Sequence, residues 1–260
     1  MSLAGLLAAG CAGAVDSAVS GGRLLPGTED AICRGDEPLQ ISPDGRWLLY
    51  ESAAGDPFQP VFVFYDLEVE QGRPTTLSPA AAALAAEGRG PVLPAVWEAE
   101  PGAVVFPGHG AAFAARPAAG DFELVPAQAA PRPPPAPRAA PAGLEVRHDG
   151  PRRLSLVAAG GTVLAEHAAD DPSVDRLEAG PLRPSPDGAF LAYVLHRYRG
   201  SFAAPPAAFL VDLTPHHGPP RRLAAPVYGA PVWDGRGRLY ACGRALDGSG
   251  TEFHVVRWTP

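Results

Sequence analysis

Carboxylates hold most of the chemical potential of this chain. Asp44, Asp187 and Asp234 each precede a glycine, in Pro43-Asp44-Gly45, Pro186-Asp187-Gly188 and Asp234-Gly235, and Asp149-Gly150 repeats the pairing; Asp170, Asp171 and Asp175 fall in one short stretch. Two facing carboxylates can act as acid and base in glycoside hydrolysis, and a cluster can ligate calcium. An Asp before Gly more simply bonds the backbone two residues on and sets a turn, and the second cluster reads as a solvated loop. The seven histidines are scattered, and the one adjacent pair, His216-His217, sits in TPHHGPP, where a surface loop is expected. No H-E-x-x-H, C-x-x-C or G-x-S-x-G occurs, so the common zinc and serine-hydrolase signatures are missing. No metal, cofactor or catalytic set is expected.

Composition narrows the field further. The 260 residues include no Lys and no Asn, and all 21 basic residues are Arg. Without the lysine amine there is no Walker-type phosphate loop and no Schiff-base chemistry. A net charge of −7, with 28 acidic residues, gives no general attraction to nucleic acid. The chain is 46% hydrophobic, enough for a large core, yet holds 32 Pro and 30 Gly, about twice the average usage. That pairing describes a globular chain rich in turns.

The turns recur. Ser-Pro-Asp-Gly precedes an alternating apolar run at Ile41 to Tyr50 and again at Arg183 to Tyr193, with weaker copies ending in Gly102, Gly150 and Gly235. Proline presets φ, Asp bonds the backbone and Gly accepts positive φ, so each copy predicts a hairpin between two strands. A second marker, a short run around Leu25, Leu77, Val125, Leu177 and Leu223, reads as an outermost strand. Both markers return about every 48 residues, the length of a four-stranded propeller blade.

The S-P-D-G turn and the strand after it resemble the Tol-type, WD-like β-propeller repeat of the TolB family and other bacterial envelope proteins, from about Leu39 to Trp258. The resemblance implies an all-β fold, a β-propeller of about five four-stranded blades with six as the alternative count. In the first blade it implies strands at Leu39 to Ser42, Trp47 to Ser52 and Val61 to Asp66, with an outer one around Thr76. The segment at Arg23 to Leu25 is expected to pair with the final strand, EFHVVRW, and close the ring. Inner strands would present Gln40, Trp97, Glu145, Arg147, Arg183 and Trp233 to the channel, only one of them acidic. Trp97 and Trp233 are expected to pack between blades. Some five-bladed propellers are glycosidases, but here no carboxylates converge.

The amino terminus, with Leu7-Ala8-Ala9-Gly10-Cys11, resembles the end of a bacterial lipoprotein signal peptide, which implies lipidation of Cys11; an apolar leader with an incidental Cys is the alternative. Export would leave Cys33 and Cys242 as an even pair able to form a disulfide, or as two separate buried thiols. Residues 1–20 are expected to form the leader and 21–260 a single propeller, with a proline-rich insertion at 127–143 that cannot pair as sheet. The stretch from Ser78 to Gly90 reads most simply as a connection, with a short helix as the alternative on alanine propensity. The expected function is non-enzymatic protein binding or scaffolding in the bacterial cell envelope, periplasmic or at the outer membrane, with a cytoplasmic location as the alternative. Its partner would be an envelope protein of unknown identity, with no nucleic acid and membrane contact only through the lipid anchor. The alternative function is glycan processing or carbohydrate binding on the same fold.

Overall fold

Both Ser-Pro-Asp-Gly copies fold into one hydrogen-bond pattern. In the first, the Ser42 N–H donates to Trp47 O and the Gly45 N–H to Ser42 O; the Ser42 hydroxyl donates to Asp44 Oδ1 at 2.5 Å and accepts from the Trp47 N–H. Asp44 Oδ1 also accepts from the Arg46 N–H. In the second, Ser185, Asp187, Gly188, Ala189 and Phe190 repeat every one of these bonds. Gly45 and Gly188 lie at φ 71° and 74°, where a Cβ is strained. The carboxylates therefore build turns, as their place before glycine implies.

The computed structural model describes residues 22–33, 37–54, 61–98, 103–127, 143–214, 219–224, 227–244 and 253–260. Cys11 and the leader, Gly102, residues 128–142 and the His216-His217 pair lie outside the described residues. In chain order the elements are β1 (Gly22–Leu24), β2 (Leu39–Ile41), β3 (Trp47–Ser52), β4 (Val61–Asp66), β5 (Gln71–Pro74), β6 (Thr76–Leu77), α1 (Pro79–Ala86), β7 (Val96–Trp97), β8 (Val104–Gly108), β9 (Ala111–Arg116) and β10 (Asp121–Pro126). They continue with β11 (Glu145–His148), β12 (Arg153–Val157), β13 (Val163–Ala168), β14 (Arg176–Ala179), β15 (Arg183–Pro184), β16 (Phe190–Arg199), β17 (Phe202–Asp212), β18 (Arg221–Ala224), β19 (Val227–Trp233), β20 (Leu239–Arg244) and β21 (Phe253–Trp258).

These strands make five sheets among the described residues: β2 to β5; β7 to β10 with β6 added; β11 to β13; β14 to β18; and β19 to β21 with β1. The fold is an all-β, propeller-like ring of successive antiparallel sheets. β1 pairs antiparallel with β21, Gly22 opposite Trp258, so the amino-terminal strand completes the last sheet. Alternation in β4 places Val63 and Tyr65 in the core shared with the fifth sheet, and Phe62 and Phe64 in the core shared with the second. Further buried clusters join the fourth sheet to the fifth and to the third. Ser78 caps α1, accepting from the Ala81 N–H.

Three expectations need correction. The outer strand of the first sheet is β5, not the Thr76 region; Thr76 and Leu77 run parallel to β10 and extend the second sheet instead. Leu177 does not finish the third sheet: β14 pairs with β16, whose ten residues are long enough to hold β14 and β15 along one edge. The third sheet keeps three strands among the described residues. In the last repeat the left-handed residue is Gly237, at φ 75°, and not Gly235. Asp234 there takes the place held by Ser42 and Ser185, since the Gly237 N–H donates to Asp234 O. The turn is thus shifted by two residues from the alignment that the Asp-Gly pairs suggested.

Candidate functional site

Inner strands end at a common space. A cavity of about 400 Å³ lies among β2, β7, β15 and β19, lined by Gln40, Trp97, Arg183, Pro184, Val232 and Trp233. Ser42, Pro43, Asp234 and Gly235 line it as well, with Pro186 exposed beside them. Strand direction explains this: each inner strand leads into its turn, so the repeated prolines gather at one end. Asp44, Asp187, Asp149 and Gly150 are turn residues that do not line the cavity, and Glu145 and Arg147 pair with each other on β11, away from it.

Four of the inner-strand residues expected at the channel are therefore brought together. Gln40 is fixed by two bonds to the neighbouring sheet, donating to Ala95 O at 2.9 Å and accepting from the Ala95 N–H at 2.8 Å. Trp97 packs edge-on against Phe64, and Trp233 packs against the core between the fourth and fifth sheets, its Nε1 donating to Arg183 O at 2.8 Å. Each tryptophan thus has one side in a core and lines the cavity as well. Arg183 reaches Glu37, just before β2, at 2.5 Å. That pair ties the fourth sheet to the first across the position of the fifth.

Sequence reasoning missed Glu37, the serine hydroxyls and the role of Asp234. Asp234 is fully buried and accepts from the Arg236 and Arg238 N–H groups, from Arg238 Nε at 2.6 Å and from the Tyr240 hydroxyl. The four-residue spacing of Asp234 and Arg238 was the available signal. Asp187 is held below the ordinary carboxylate range by the Ser185 hydroxyl and the Ala189 N–H. Asp171 bonds Ser173 and Arg199, and Asp175 accepts from the Gly200 N–H, so both brace a hairpin. Among the described residues no group of three or more His, Cys, Asp or Glu is arranged to hold a metal ion.

Cys33 and Cys242 are joined by a disulfide, with Cα atoms 5.6 Å apart, linking the segment before β2 to β20. Both are buried in the core between the first and fifth sheets. Among the described residues no helix is long and apolar enough to cross a membrane.

The strand pairing defines the class, a propeller-like ring with a central cavity. No protein-family model matches the chain, and no curated protein matches it by sequence. Among solved structures it is similar to a luciferin-regenerating enzyme at 10% identity and a TM-score of 0.38, covering 89% of this chain and 92% of that one. It is also similar to puromycin hydrolase at 17% identity and a TM-score of 0.25, covering 80% of this chain and 36% of that one.

Proposed function

We propose that this protein is a non-enzymatic binding propeller of the bacterial cell envelope, of the Tol type, which recognises a protein partner at the mouth of its central cavity. One observation supports this above others: the state of the two carboxylates in the cavity lining. Asp234 is saturated by four donors, which leaves Glu37, paired with Arg183, without a second working carboxyl among the described lining residues. Glycoside hydrolysis needs two carboxyl groups free to exchange protons or attack the sugar. The rest of the lining includes four prolines and two tryptophans, rigid side chains suited to recognition. A buried disulfide fits an oxidising compartment, and lipidation at Cys11 would hold the protein at the membrane.

Site-directed photocrosslinking tests the reading. A crosslinking residue at Pro186, an exposed residue of the cavity lining, is expected to trap one dominant protein from envelope extracts. The same residue at Pro151, in a turn of the third sheet outside the cavity, is expected to trap none. Equal capture from both positions, or release of reducing sugar from envelope glycans by the purified protein, overturns it.

A further inference from the structure

Hydrogen bonding inside the cavity is one-sided. Gln40 Oε1 is taken by the Ala95 N–H, Asp234 by four donors, Arg183 O by Trp233 Nε1 and Glu37 Oε1 by Arg183 Nη2. Two donors are not. Arg183 Nε and Trp97 Nε1 are buried with no partner among the described residues, and both side chains line the cavity. Buried donors are nearly always satisfied, and Arg183 Nε, sealed in as it stands, shares a guanidinium edge with the Nη2 that meets Glu37, so an acceptor that replaced Glu37 there could reach both.

The Arg183–Glu37 pair says which acceptor. Glu37 meets only Nη2, although the side-on edge of a guanidinium offers Nε and Nη2 together as a fork matched to a carboxylate. The two partners are also unequally held. Arg183 has 16% of its side chain exposed, and its backbone is clamped by Trp233; Glu37 has 38% exposed. Arg183 is the fixed element and Glu37 the one that can leave.

We propose that the cavity binds a carboxylate, which displaces Glu37 and takes both Nε and Nη2 of Arg183, and that Glu37 is a built-in competitor for that site. Arg183 is the one cationic residue among the described residues that line the cavity, which favours a monoanion over a phosphate dianion, because one guanidinium neutralises one charge and a second would stay uncompensated. About 400 Å³ suits a small organic acid or the end of a peptide chain. The proposal rests on reading the cavity as the recognition site, and it names the chemistry recognised there.

Calorimetric titration of the full chain tests it, with benzoate against benzamide and the tripeptide Ala-Ala-Phe against its C-terminal amide. At least one carboxylate is expected to bind and its neutral amide to bind tenfold or more weakly. Arg183→Gln is expected to weaken the carboxylate at least tenfold. Glu37→Gln is expected to tighten it severalfold, a gain that misfolding cannot mimic. Binding of benzoate alone identifies a small acid as the source, and binding of the peptide alone a chain terminus. Equal binding of acid and amide, no binding of either acid, or weaker binding in Glu37→Gln overturns the proposal. Capture through Pro186 that persists in those cases leaves the recognition reading standing, and its failure beside intact carboxylate binding sinks that reading alone.

Discussion

Two seams of the ring are built differently. Between the first and fifth sheets lie a buried cluster that includes Leu39, Tyr50, Tyr65 and Tyr240, the Cys33–Cys242 disulfide, and Thr28, which donates to Leu25 O and accepts from the Val255 N–H. Outside them Glu70 binds both Arg23 and Arg257, at 2.6 and 3.1 Å. Between the second and third sheets no buried apolar cluster forms among the described residues. The buried side chains that alternation leaves on those two faces are small, Val105 and Ala112 on one and Ser155 and Val157 on the other, and beside the latter pair stand the charged Glu145, Arg147 and Glu166. The difference follows from chain connectivity. The first and fifth sheets come from opposite ends of the sequence, so bringing them together closes nearly the whole chain into one loop, the contact with the highest entropy cost. Reinforcement is concentrated where that cost falls.

Removing the disulfide should break the contrast most sharply. The bond spans 209 residues, and a double Cys33→Ser, Cys242→Ser variant is expected to lose about 4 kcal/mol in denaturant unfolding. A loss below about 1 kcal/mol would show that the noncovalent seam suffices. Acid should act next, and at the other side of the ring. His167 of the third sheet bonds Tyr193 and packs on Phe209 of the fourth, and burial, helped by Arg197, lowers its pKa from 6.5 to about 4. Below pH 6.5 the unfolded chain takes up a proton that the native state refuses, so stability should fall as pH drops from 6.5 to about 4 and level off beneath. His167→Phe should flatten that slope in thermal melts across the range; an unchanged slope would place the sensitivity elsewhere.

Smaller effects sharpen the comparison. Ser42→Ala and Ser185→Ala each leave a backbone N–H without its acceptor, and each is expected to cost about 1 to 2 kcal/mol by denaturant unfolding. The Ser42 turn touches the fifth sheet, where a Cβ on Gly45 would stand 3.2 Å from Gly235 N. A cost at Ser42 clearly below that at Ser185 would contradict a reinforced seam. The smallest effect is expected at Glu70. Glu70→Gln should cost about 0.5 to 1 kcal/mol in low salt and almost nothing in high salt, because Arg23 is well exposed. A loss insensitive to salt would mean that the charges are not what Glu70 contributes.

How far the sequence revealed this can be traced residue by residue. The S-P-D-G turns and the first three strands of the first sheet were legible because they depend on local chemistry or strict alternation, and ring closure at Arg23 to Leu25 because the two ends of the repeat complement each other; the helix after Ser78 was one of two readings of that stretch, beside a plain connection. The markers at Leu77 and Leu177 misled because a short apolar run states that a strand forms but not which neighbour it joins. Long-range pairing chose, and β16 proved long enough to take β14. Gln40, Trp97, Arg183 and Trp233 were named as channel residues, since inner-strand position follows from the repeat. Glu37 was not: it stands outside the repeat and gains its role only by meeting Arg183, 146 residues away.

The pairing of Gly22 with Trp258 also has a mechanical meaning. Because β1 and β21 are antiparallel, tension applied through these two residues loads the ladder at one end and opens it bond by bond, as a zipper, at low force. Extension then halts abruptly when the pull reaches Cys33 and Cys242, and everything between them stays slack-free behind a covalent stop. A stretched molecule would show one short, soft step followed by a stiff limit, and only a reducing agent would move that limit outward.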